Sequence, residues 1–79
     1  MTFYTIKGVD YATQKTIWDA RQAFVHLEDA KQHIKQNPKY KGSTTKWQSN
    51  KDGTWVCMYT DKESKVNVEI WIREREIII

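Results

Sequence analysis

The sequence predicts an α+β fold: a small antiparallel sheet, in the order β-β-α-β-β-β, with one helix packed on one face. Three observations carry this. Leu27 to Asn37 places apolar residues at helical spacing. Several short runs rich in Trp, Tyr, Val and Ile alternate apolar with polar residues. Turn residues punctuate those runs, and Asn50-Lys51-Asp52-Gly53 is the plainest hairpin signal, with Gly53 suited to a positive φ.

Taken in order, Phe3 to Gly8 alternates and reads as a first strand, followed by a turn region over Val9 to Gln14. Lys15 to Ala20 reads as a returning strand, with a helix over roughly 13–24 as the competing reading. In Leu27 to Asn37, Leu27, Ala30 and Ile34 form one apolar stripe; Glu28 and Asp29 open the helix and Lys35 closes it, as its dipole favours. Phe24 or Val25 can staple the entry, and Asn37-Pro38 ends the helix because proline lacks an amide donor. His26 stands at the N-cap, where Ser, Thr, Asp or Asn is expected. After a basic loop, Thr45 to Ser49 and Thr54 to Thr60 flank the hairpin turn, and a polar turn at Asp61 to Ser64 leads into a long strand, Lys65 to Glu76. In that last strand Val66, Val68, Ile70 and Ile72 share one face; Asn67, Glu69, Trp71, Arg73 and Arg75 share the other. An eleven-residue helix is about 16 Å long, while five strands span about 19 Å. One helix therefore leaves part of the sheet open, curled or covered by a partner.

The 79 residues fit one domain, 1–79. With 39% hydrophobic and 29% charged residues, and four Trp, four Tyr and two Phe, the chain has ordinary globular makeup. Cys57 is the only cysteine, which excludes an internal disulfide and fits a reducing compartment. The longest apolar run, Ile77-Ile78-Ile79, is far short of the roughly 20 residues a membrane helix needs. The expected location is cytoplasmic. The net charge of +3 is unevenly spread: residues 31–51 carry six lysines and no acid, while the flanking segments are slightly acidic.

Catalytic and metal chemistry find little footing, and no cofactor is expected. His26 and His33 are seven apart, about 10 Å along a helix axis, whereas helical zinc pairs stand three or four apart. Cys57 lies mid-strand between Val56 and Met58, away from any feature that would generate a thiolate, and reads as a buried thiol. Glu74 and Glu76 alternate with Arg73 and Arg75, as on a solvated strand. Lys41-Gly42-Ser43 resembles the end of a phosphate loop but lacks its upstream glycine and follows a helix. The chain is expected to be no enzyme.

Two binding surfaces remain. On the last strand Trp71 stands among charges beside Arg73, an interface-like composition that Trp55 and Tyr59 of the preceding strand could join. The alternative packing sets Trp71 across strands against Trp55 or Tyr59 as added core. The expected function is protein binding through this aromatic sheet face or an edge strand, with a protein partner or a second copy as a homodimer; Ile77, Ile78 and Ile79 could serve such an edge. The alternative is nucleic-acid binding, with Lys31, Lys35, Lys39, Lys41 and Lys46 neutralising phosphates and Tyr40 and Trp47 stacking on bases. The bland reading of that segment is a solvated loop.

From Lys15 to Ile34 the chain resembles the arm-type DNA-binding domains of phage and transposon integrases. Those domains lead from a small sheet into a helix introduced by Phe, a cap residue, an acid and Ala. Phe24, Asp29, Ala30 and Ile34 fit that outline; His26 replaces the usual Ser or Thr, and the strands after the helix depart from the family's order. The resemblance covers about a quarter of the chain. A compact inhibitor or accessory protein of a bacterium or a mobile element would have this makeup.

Overall fold

The computed structural model describes residues 1–36, 47–60 and 65–78. Thr2–Asp10 forms β1, Thr16–Asp19 β2, Leu27–Gln36 α1, Gln48–Ser49 β3, Thr54–Thr60 β4 and Asn67–Glu76 β5. The strands make one five-stranded sheet in the order β2-β1-β5-β4-β3, and all four pairings are antiparallel. The fold is thus a small antiparallel sheet with one helix.

β1 runs past the predicted Gly8 to Asp10, because Gly8, Val9 and Asp10 stay in register with Ile70, Glu69 and Val68 of β5. The turn begins only at Asp10, whose carboxylate accepts from the Ala12 and Thr13 amides at 2.8 and 3.3 Å. Residues 16–19 are strand, which settles the choice over 13–24 against the helix. Thr16, Ile17 and Trp18 suit a pleated surface. Gly8 pairs with Trp18 and Val9 with Thr16, so Ile17 is the extra residue of a bulge. Beyond β2 the chain keeps to the same edge: Ala20 N–H donates to Ile6 carbonyl at 2.9 Å, and Tyr4 and Phe24 exchange a pair of bonds at 2.7 and 3.0 Å.

That bridge delivers the chain to α1. His26 carbonyl accepts from the Asp29 and Ala30 amides, which makes His26 the N-cap residue. Phe24 supplies the staple, half-buried and packed on the His33 ring at 5.2 Å, while Val25 is exposed. Ala30 and Ile34 enter the core with Ile6, Cys57, Tyr59, Val68, Ile70 and Ile72. At the β3–β4 hairpin, Gly53 has φ +81° and Asn50 N–H bonds Thr54 carbonyl at 2.8 Å. This is a three-residue loop closed by a left-handed glycine. Thr54 Oγ1 donates to Asp52 Oδ1 at 2.6 Å. β5 starts at Asn67, later than the expected Lys65, and Thr60 Oγ1 bonds Asn67 Oδ1 at 2.8 Å where β4 and β5 separate. The predicted helix stop at Asn37-Pro38, the basic loop, the start of the third strand and the turn at 61–64 lie outside the described residues.

Candidate functional site

Which residues share a surface follows from register. Ile6 lies opposite Ile72, Gly8 opposite Ile70, and Cys57 opposite Ile70, so these point together toward α1. Their strand neighbours point the other way. On that helix-free face one rank crosses all five strands: Asp19, Lys7, Trp71, Val56 and Gln48. β5 is the middle strand, so Trp71 sits at the centre of the face. Val9, Glu69 and Met58 form the rank on one side; Thr5, Arg73 and Thr54 form the rank on the other, with Phe3 and Arg75 beyond.

Trp71 is half-buried. Lys7 reaches over its ring, the ammonium 5.3 Å from the centroid, a cation–π contact between direct cross-strand neighbours. The indole Nε1 is shielded from solvent and has no acceptor among the described residues. Met58 stands out at 43% exposed, with half-buried Val56 beside Trp71. The charges on this face are mixed but lean positive. Glu69 accepts from Gln14 Nε2 at 2.9 Å, which engages one carboxylate. Arg73 and Arg75 are exposed and make no ion pair among the described residues; Arg75 Nε donates weakly to Thr5 Oγ1 at 3.5 Å.

The four residues grouped from the sequence therefore divide between two faces. Trp71 and Arg73 lie on the helix-free face. Tyr59 is buried in the core beneath α1, and Trp55 is packed against that core, its ring edge-on to Tyr4 at 5.9 Å. Trp71 accordingly meets neither Trp55 nor Tyr59; its cross-strand neighbours are Lys7 and Val56. Lys7, Val56, Met58 and Thr5 were not singled out from the sequence. They become neighbours of Trp71 only through pairing register, which one strand's alternation does not reveal.

Of the basic set, Lys31 and Lys35 project from α1, Lys31 lying 3.9 Å from Glu28, and Trp47 packs against the core. Lys39, Tyr40, Lys41 and Lys46 lie outside the described residues. Comparison with family models, with curated proteins and with solved structures finds no match to this chain.

Among the described residues, Cys57 and Asp52 stand away from their ordinary titration range. Burial pushes the Cys57 thiol up to about 12, far from a reactive thiolate at neutral pH. The Thr54 hydroxyl, bonded to Asp52, holds that carboxyl below its ordinary range. Among the described residues, no three of His, Cys, Asp and Glu converge as metal ligands, and no helix is long and apolar enough to cross a membrane.

Proposed function

We propose that this chain is a cytoplasmic, non-catalytic binding protein, and that its contact surface is the sheet face opposite α1, met by a different protein. The single observation that supports this most is the position of Trp71, in the middle rank of the middle strand on the face that α1 leaves uncovered. Binding energy in protein interfaces concentrates in central Trp and Arg residues ringed by weaker contacts. Trp71 with Val56 and Met58 offers the apolar centre, and Lys7, Arg73 and Arg75 offer the surrounding cations. The partner chemistry this favours is a surface that sets carboxylates around an apolar knob. A stacking platform for bases fits less well, because the Lys7 ammonium already occupies one side of the indole.

The test is affinity capture with the purified protein, followed by reconstitution of each captured component as a pure pair. Trp71→Ala and Arg73→Glu should each weaken the reconstituted complex about tenfold or more, and Lys35→Ala on α1 should leave it unchanged. Equal affinity for wild type and Trp71→Ala would contradict the reading, as would loss of binding only in Lys35→Ala.

A further inference from the structure

β5 sorts its charges by face. Arg73 and Arg75 lie on the helix-free face, whereas Glu74 and Glu76 alternate with them and so belong to the α1 side of the sheet. Register gives these two carboxylates no basic neighbour. Glu74 lies opposite Tyr4 on β1 and bonds Gly53 carbonyl through its amide; Glu76 lies opposite Thr2. Both are exposed, and neither makes an ion pair among the described residues.

The Glu74 carboxylate is held in place beside aromatic rings. Tyr4 OH donates weakly to its Oε1 at 3.5 Å. Its Oε2 lies 3.4 Å from the point where a Cβ on Gly53 would stand. The Tyr4 ring in turn meets the Trp55 ring, with centroids 5.9 Å apart and planes inclined at 66°. Tyr4 and Trp55 belong to the two strands that flank β5, and their partners on it are Glu74 and Ile72. Their rings therefore meet across β5, both half-buried. Phe24, bridged to Tyr4, extends the aromatic wall toward the sheet edge. The result is an exposed carboxylate beside two inclined rings, with no cation of the chain paired to it among the described residues.

Aromatic faces attract cations, and a carboxylate accepts charge-assisted hydrogen bonds from them. A guanidinium meets both demands, because it is planar, stacks on a ring and presents parallel N–H donors. We infer that Tyr4, Trp55 and Glu74 form a binding site for a guanidinium group carried by a separate molecule. This site goes beyond the protein-binding reading of the Trp71 face and does not depend on it. It lies on the other side of the sheet and prefers the opposite charge. Two of the chain's three arginines, Arg73 and Arg75, lie on the face away from the site. A second copy could deliver them only head to tail, a contact that does not close into a dimer. Arg21, exposed in the bend after β2, is the remaining internal source, and the test separates it.

The test is titration of the isotope-labelled full chain, read by amide and indole NMR. The probes are methylguanidinium, acetyl-arginine methylamide and acetyl-citrulline methylamide, the uncharged isostere. The arginine derivative should shift the Trp55 indole N–H and the Tyr4 and Glu74 amides, with a dissociation constant on the order of 1–10 mM. The citrulline derivative should bind at least about tenfold more weakly. Tighter binding of the arginine derivative than of methylguanidinium assigns the group to a peptide side chain; equal binding of those two assigns it to a free guanidino compound. Glu74→Gln, a change at an exposed position, should weaken binding about tenfold, and Trp71→Ala should leave it unchanged. Equal shifts from the arginine and citrulline derivatives, binding that ignores Glu74→Gln, or shifts confined to the Trp71 face would overturn the inference. The same shifts on concentrating the protein alone, lost in Arg21→Gln, would show that a second copy fills the site and would overturn the assignment to a separate molecule.

Discussion

Gly8 and Trp18 lie opposite each other on β1 and β2, and the indole occupies the space where a side chain on Gly8 would start. A Cβ at Gly8 would overlap the ring atoms Cε2 and Nε1 of Trp18. Gly8→Ala should therefore cost about 1–3 kcal/mol through overpacking. In a Trp18→Ala background the same change should cost nearly nothing, because the obstructing ring is gone and alanine narrows the unfolded ensemble. Urea unfolding of the four-member cycle measures that coupling. Cys57 gives a second residue-scale outcome. Its folded pKa of about 12 lies above the ordinary 9.0, so the buried thiol stays protonated while the unfolded chain ionises. The stability that this contributes is fully present below pH 9 and is lost as pH rises toward 12, at up to about 1.4 kcal/mol per pH unit. Between pH 8 and 10 the wild type should therefore lose about 1 kcal/mol more than Cys57→Ala, as read by urea unfolding at each pH; parallel losses would contradict the assignment.

At the scale of elements, α1 is a short helix that depends on its neighbours. Ten residues are marginal alone, and its anchors are Ala30 and Ile34 below and Phe24 at its entry. Ile34→Ala should cost about 2–5 kcal/mol. The N-cap works in the opposite direction: His26 lends its carbonyl, and no side-chain cap bond from it is seen among the described residues, so His26→Ser should stabilise the protein by about 0.5–1 kcal/mol in thermal or urea unfolding. The helix, the β3–β4 turn and the two faces of β5 were legible because each is written in local spacing: Leu27, Ala30 and Ile34 at helical period, Asn50 to Gly53 as a hairpin turn, Val68 to Ile72 at period two. The extent of β1 was not legible, because Gly8, Val9 and Asp10 have the composition of a turn and only the long-range partners Ile70, Glu69 and Val68 keep them extended. The bulge at Ile17 also escaped, since it exists only in the offset between β1 and β2. The candidate site was half legible for the same reason. Trp71 and Arg73 could be placed on one face from their own strand, but Trp55 and Tyr59 were put with them without the β4–β5 register, which turns both toward α1.

For the molecule as a whole, the sheet divides the labour. Its helix side holds the core, with Ile6, Ile34, Ile70 and Ile72 fully buried, and carries the stability of a small domain. Its other side carries a tryptophan, a methionine and three cations on a surface that the helix leaves uncovered, and this is the surface the proposed binding uses. The two lysine sets separate accordingly: Lys7 lies on the helix-free face beside Trp71, while Lys31 and Lys35 lie on α1. The most direct measurement is lysine footprinting of the reconstituted complex, comparing acylation rates at each lysine with and without the captured partner by mass spectrometry. The account predicts that Lys7 is protected about tenfold or more while Lys31 and Lys35 keep their free rates. Protection of Lys31 and Lys35 with Lys7 unchanged would move the contact surface to the helix and contradict it.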